Sequence, residues 1–143
     1  MLNVTRTGKV MLEEVSESID VEDAKNSQLW FWDGDHLRSK LKIGSKKRAL
    51  GCNILTNKVT YKELDKTSTD YSYHYQKWYM EGDKIISKQS GFLLFEKDNE
   101  VGCHQDSIYD KRSSRHSGMS TSWHLNEIVL KGEYKVTSNI SFK

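Results

Sequence analysis

Trp30-Phe31-Trp32-Asp33-Gly34-Asp35-His36-Leu37-Arg38-Ser39-Lys40 is written a second time 48 residues later, as Trp78-Tyr79-Met80-Glu81-Gly82-Asp83-Lys84-Ile85-Ile86-Ser87-Lys88. Trp, an aromatic, an acid, Gly-Asp, an aliphatic and Ser-Lys fall at matching places, and each copy begins two residues after a glutamine, Gln28 or Gln76. A degraded third copy follows 45 residues after Trp78, as Thr121-Ser122-Trp123-His124-Leu125-Asn126-Glu127-Ile128, with its turn shortened and its glutamine replaced. A fixed period constrains the architecture before any element is assigned. Three units fill one domain, 1–143, with repeats at approximately 1–30, 31–78 and 79–123 and closing strands at 124–143.

Within each clear copy the acid-Gly-Asp triplet sits between aromatic and aliphatic residues, which predicts a β-hairpin. Outward from the first copy, Gly8 to Val15 and Ser18 to Glu22 are short segments with the partial alternation of half-buried strands. Leu41-Lys42-Ile43 and Ala49-Leu50 are apolar pieces around a basic run, and Val59-Thr60-Tyr61 has β-strand character. Phe92 to Phe95, a turn at Lys97 to Glu100, and then Val101 and Ser107 to Tyr109 continue the pattern, as do the tail segments Ile128 to Leu130, Tyr134 to Val136 and Ile140 to Phe142. Asp65 to Tyr73 is a polar loop, and the serine-rich, basic stretch from Asp110 to Ser122 reads as the mobile segment. Short strands with frequent turns predict an all-β sandwich or barrel, and about four strands per unit, three times over, select a closed pseudo-threefold arrangement.

The 36% apolar content is low, but four Trp, seven Tyr and four Phe supply large buried areas. No run has the apolar length of a membrane span and the amino terminus lacks the pattern of a secretory signal, so the chain reads as soluble, in either an extracellular or a cytoplasmic setting. A formal charge of +2 gives no bulk drive toward nucleic acid or membrane. Its distribution is uneven: residues 31–60 carry seven bases against two acids. Lys46-Lys47-Arg48 within that window is either a solvated turn or a local anion-attracting patch. Asn3-Val4-Thr5 and Asn139-Ile140-Ser141 are glycosylation sequons, relevant if the chain is secreted.

Gln28-Leu29-Trp30 and Gln76-Lys77-Trp78, each followed by an aromatic strand and a Gly turn, resemble the Gln-x-Trp repeats of ricin B-type β-trefoil lectin domains. Tyr75-Gln76-Lys77-Trp78 and Leu93-Leu94-Phe95 are also similar to the cysteine-rich trefoil domain of mannose-receptor-type proteins. The resemblance spans the chain, specific in two units and weak in the third. It implies a β-trefoil, in which six strands form a barrel and six form three capping hairpins. It also implies that Gln28, Trp30, Gln76, Trp78 and Trp123 belong to the scaffold and not to a ligand site. The family's paired cysteines are absent, with Val10 and Leu64 near their positions. Cys52 lies 22 residues after Trp30 and Cys103 lies 25 after Trp78. Counted this way they hold equivalent places in neighbouring units, too far apart to bridge, and are expected as free buried thiols.

Sugar sites in the family combine an early acid, an aromatic platform and a polar residue just before Gln-x-Trp, because a sugar's C–H face stacks on an aromatic while acceptors and donors fix its hydroxyls. Unit one has Asp20 and Glu22 on the relevant strand and no platform; unit two has Tyr61 as platform but Tyr75 where the amide belongs. Unit three offers Tyr109 with Asp106, His104, Asn99 and Asp98, and places Ser120 where the mannose-receptor domain has an aromatic. Tyr109 as a core residue is the competing reading. Cys103 and His104 are neighbours that a strand points to opposite faces, and His36, His74, His104, His116 and His124 lack metal-site spacing, so neither catalysis nor a metal or cofactor is expected.

Three functions follow. The first is a non-catalytic carbohydrate-binding, lectin-like module whose partner is a glycan or glycoprotein. The second is a protein-interaction trefoil without sugar sites. The third is a binder of anionic glycans or nucleic acid through Lys46, Lys47, Arg48, Arg112 and Arg115.

Overall fold

The computed structural model describes residues 1–13, 26–64, 74–105, 120–128 and 136–142. Within them it is all-β, with thirteen strands in three curled sheets. Val15, Ser18 to Glu22, the loop Asp65 to Tyr73, most of Asp110 to Ser122, and Val129, Leu130, Tyr134 and Lys135 lie outside the described residues. No helix among the described residues is long and apolar enough to cross a membrane.

The two written copies form the expected hairpins. Strands β3 (Trp30–Asp33) and β4 (His36–Ser39) pair from Trp30↔Ser39 to Asp33↔His36. Strands β8 (Trp78–Glu81) and β9 (Lys84–Ser87) pair from Trp78↔Ser87 to Glu81↔Lys84. Gly34 and Gly82 both sit at φ +61°, the left-handed geometry that a type II′ two-residue turn demands at its first central position. The third hairpin, β12 (Trp123–Ile128) with β13 (Thr137–Phe142), is longer, with six paired positions from Trp123↔Phe142 to Ile128↔Thr137.

A pair of longer strands precedes each of the later hairpins: β5 (Arg48–Asn53) with β6 (Lys58–Glu63), and β10 (Phe92–Lys97) with β11 (Glu100–Gln105). Before the first hairpin the pair is β1 (Leu2–Val4) with β2 (Val10–Leu12), of which β1 is too short for a period to mark it in the sequence. The remaining strand, β7 (His74–Tyr75), lies along β5.

One contact recurs in every unit. The buried indole of Trp30 donates to the Leu2 carbonyl at 3.0 Å, Trp78 to the Leu50 carbonyl at 2.8 Å and Trp123 to the Leu94 carbonyl at 2.9 Å. A buried indole needs such an acceptor, and a carbonyl on the first strand of the preceding pair supplies it. The hairpins also tie to one another: Trp78 N–H donates to the Asp35 carbonyl, Trp123 N–H to the Asp83 carbonyl, and Ser138 on β13 pairs with Trp30 on β3. The three hairpins therefore close in a ring around Trp30, Trp78, Trp123, Leu37, Ile85 and Ile140, all at most 1% exposed.

The cysteine expectation is overturned. Cys52 and Cys103 form a disulfide with Cα atoms 6.0 Å apart. The error lies in the counting. Eight residues connect β4 to β5 but only four connect β9 to β10, and four connect β5 to β6 but only two connect β10 to β11, so counting from tryptophan slips by six at Cys103. By register, Leu50 faces Tyr61 and Leu94 faces Cys103, which makes Cys103 the counterpart of Tyr61 and puts Cys52 on the other strand of its pair. Strands β6 and β11 are hydrogen-bonded neighbours, and this brings the two sulfurs together.

Candidate functional site

The residues expected to hold a sugar divide three ways. Tyr109, Asp106, Arg112 and Arg115, together with Asp20 and Glu22, lie outside the described residues. Tyr61 is corrected from platform to core: it is 2% exposed and meets the Trp30 ring edge-on at 5.7 Å between centroids. Its hydroxyl accepts the Ser39 N–H at 2.8 Å, and burial, the largest influence, raises its pKa against the opposing pull of that bond and of Arg38 and Arg48. A ring enclosed on both faces has none to offer a sugar.

The other unit-three residues serve the local backbone. Asp98 and Asn99 form the two-residue turn between β10 and β11 at φ +51° and +64°, and the Asn99 N–H donates to Glu96 Oε1 at 3.1 Å. Ser120 exchanges two 2.8 Å backbone bonds with Glu96. His104 lies at the end of the pair, edge-on to Phe95. The scaffold roles hold better: Gln76 Nε2 donates to the Lys62 and Glu63 carbonyls at 3.1 and 3.2 Å, tying unit two's Gln-x-Trp stretch to β6.

The basic run, by contrast, is part of a larger arrangement. A cleft of about 490 Å³ opens where β4 leads into β5. Arg38, Lys40, Lys42, Lys46, Lys47 and Arg48 all line it, and no carboxylate among the described residues does. The local sequence explains the shape. Ser39 and Leu41 are buried, with the Leu41 N–H bonded to Ser39 Oγ at 3.1 Å, and the half-buried Ile43 packs on the core. Arg38 lies on the far side of β4 from these, and Lys40 and Lys42 lie between the inward residues across the bend at 40–41, both lining the cleft. Gly44, at φ +65°, stands between this segment and Lys46, Lys47 and Arg48, which line the same cleft.

Neutralisation is incomplete. Arg38 pairs with Asp33 at 2.9 Å, and Lys46 and Arg48 share Glu63 at 3.7 and 3.9 Å. Arg48 Nε is buried without a hydrogen-bond partner, and Lys42 and Lys47 pair with no described acid. Arg38 and Lys40 also lie 5.2 and 5.4 Å from the Phe31 ring centroid, a contact that stacks cations over an aromatic face. Cations facing one another across low-dielectric walls reinforce each other's field and concentrate an anion between them. The sequence reading picked out only Lys46, Lys47 and Arg48. The missed members, Arg38, Lys40 and Lys42, carry their own signal, a base at every second residue.

One sequon is closed by the fold. Asn3 is 4% exposed and its Oδ1 accepts from Ser27 Oγ at 2.6 Å, so no glycan fits there in the folded state; Asn139 lies half-buried on β13, opposite Asn126. Compared with protein-family models, curated proteins and solved structures, the chain matches none of them.

Proposed function

We propose that the chain is a non-catalytic glycan-binding module on a β-trefoil scaffold of the ricin B type, and that its ligand is an anionic glycan held in the β4–β5 cleft. Support for the scaffold comes from the repeat: strands β1, β5 and β10 each provide the carbonyl that receives a buried indole from β3, β8 and β12. The observation that carries the ligand class is the cleft lined by six cations and, among the described residues, no acid. Arginine matches a sulfate or carboxylate with paired donors, and lysines of few fixed contacts supply adaptable charge. Support for a saccharide over other polyanions comes from the Gln-x-Trp resemblance. The disulfide fits an oxidising compartment, where such glycans are displayed.

The test is a glycan array with neutral, carboxylated and sulfated members, probed at low and physiological salt with the wild type and with Lys42→Ala/Lys47→Ala. Sulfated or carboxylated members should bind, with affinity falling as salt screens the cleft and falling about tenfold in the variant. Signal on neutral glycans alone, or anionic binding indifferent to the variant, would overturn the reading. An oligonucleotide of equal charge that outcompetes every glycan would transfer the cleft to nucleic acid.

A further inference from the structure

Asp33 and Glu63 both hold cations of the β4–β5 cleft, and they hold them unequally. Asp33 meets Arg38 at 2.9 Å, and Arg38, whose side chain is only 17% exposed, also donates through Nε to the Arg48 carbonyl at 3.1 Å. This is a charge-assisted hydrogen bond on a side chain fixed at a second point. Glu63 stands 3.7 Å from Lys46 and 3.9 Å from Arg48. Both distances exceed hydrogen-bond range, and the Glu63 and Lys46 side chains are 49% and 75% exposed. Loose, solvated pairs of this kind contribute little each.

The backbone aims Glu63 at these cations while its side chain stays loose. The residue lies opposite Arg48 in the β5–β6 register. Gln76 Nε2 donates to the Glu63 carbonyl at 3.2 Å, and the next residue, Leu64, donates its N–H to the Lys47 carbonyl at 2.9 Å. With the chain pinned at both points, rotation about the side-chain bonds is what moves the carboxylate. Glu63 is not among the residues that line the cleft, so it draws on Lys46 and Arg48 from outside. A sulfate or carboxylate arriving inside the cleft and making charge-assisted hydrogen bonds to them gains more than Glu63 gives up at 3.7 and 3.9 Å. Asp33, already at hydrogen-bond distance from Arg38, is not outbid in this way and stays.

We propose that Glu63 is the internal competitor of the ligand: it holds Lys46 and Arg48 until an anionic group of the glycan replaces it, and so lowers the affinity of the cleft for that ligand. The inference rests on the anionic-glycan reading of the β4–β5 cleft and adds to it the residue that limits its affinity.

Titration calorimetry with a heparin tetrasaccharide, at low and at physiological salt, tests this. Glu63→Gln keeps the shape of the side chain and removes its charge, and should tighten binding about two- to fivefold at low salt, with a smaller gain at physiological salt. Glu81→Gln, the same change at an exposed acid of β8 outside the cleft, should leave affinity unchanged. Lys46→Ala should cost more affinity when added to Glu63→Gln than when made alone, because in the wild type part of what Lys46 gives the ligand is offset by the loss of its contact with Glu63. Urea midpoints of these variants should agree closely, since pairs this exposed weigh little in stability. A Glu63→Gln protein that binds no more tightly than Glu81→Gln, or a Lys46→Ala loss equal in both backgrounds, would overturn the proposal, and would leave the cleft standing if Lys42→Ala/Lys47→Ala still weakens binding. Tetrasaccharide binding indifferent to Lys42→Ala/Lys47→Ala, or absent altogether, would overturn the reading of the cleft and this inference with it.

Discussion

The hairpins β3–β4 and β8–β9 share their register and their Gly-Asp turn, yet the connections that leave them are unlike: eight residues lead from β4 to β5 and four lead from β9 to β10. The matched part does the same work twice, burying a tryptophan, bonding its indole to a leucine carbonyl and turning on a glycine. The unmatched part differs in chemistry. The longer connection tucks Leu41 and Ile43 against the core and carries four lysines into a cleft, while the shorter one, Lys88 to Gly91, closes with a 2.8 Å bond from Gly91 N–H to the Ser87 carbonyl. Repetition marks what holds this protein together, and departure from it marks where a ligand finds something particular.

The strongest way to break the comparison is through the disulfide, which joins unit two to unit three at positions that are not counterparts. Cys52 and Cys103 are 51 residues apart, and closing a loop of that size restricts the unfolded chain by about 4 kcal/mol in the chain-entropy model. Reduction, or Cys52→Ala/Cys103→Ala, is expected to lower unfolding stability by roughly 2–4 kcal/mol. Urea unfolding of oxidised, reduced and double-variant protein measures it. Identical midpoints for all three would mean that the thiols are free, as equal counting from each tryptophan suggests.

A smaller effect falls on Tyr61, the counterpart of Cys103. Tyr61→Phe strands the Ser39 N–H and is expected to cost about 1–3 kcal/mol at neutral pH. The phenol's pKa is raised above 10.0 in the folded state, chiefly by burial, so folding favours its protonated form. The stability this contributes is fully present below the unfolded value and is lost as pH rises from about 10 through the folded value. The gap between wild type and Tyr61→Phe should therefore narrow in that alkaline window, where lysines common to both proteins cancel. A gap constant across the window would place the hydroxyl in water.

Sequence and structure part company at identifiable residues. The hairpins are legible because their aromatic, glycine and aliphatic positions act locally, and so is the turn at Asp98-Asn99. Strand β1 is not legible, since three residues are too few to show a period and Asn3, polar in sequence, is buried through its bond to Ser27. The role of Tyr61 is invisible for a similar reason: its partner Ser39 is 22 residues away, and nothing near Tyr61 says that its ring is enclosed. The cysteine pairing was obscured by the shorter connections in unit three, four residues before the strand pair and two within it, which put Cys103 on the second strand of its pair. The basic cleft was half visible, as a run at Lys46 to Arg48. Its other members form an alternation, Arg38, Lys40 and Lys42, whose meaning depends on the fold that sets both groups along one cleft.

The finest contrast lies in one pair of serines, Ser39 and Ser87, which close the two hairpins opposite Trp30 and Trp78. Both are buried, at 5% and 0% exposure. Ser39 Oγ donates to the Asn26 carbonyl at 3.0 Å and accepts the Leu41 N–H at 3.1 Å, so it anchors the start of the longer connection. Ser87 Oγ is buried with no hydrogen-bond partner among the described residues. Removing a satisfied buried hydroxyl leaves its partners stranded, whereas removing an unsatisfied one relieves a desolvation penalty. Ser39→Ala is expected to destabilise by about 1–2 kcal/mol, and Ser87→Ala to be neutral or stabilising by up to about 1 kcal/mol. Chemical denaturation of the two single variants separates these outcomes. Equal losses would mean that the hairpins are alike down to their hydroxyls, and that the difference between the two connections stops short of the core.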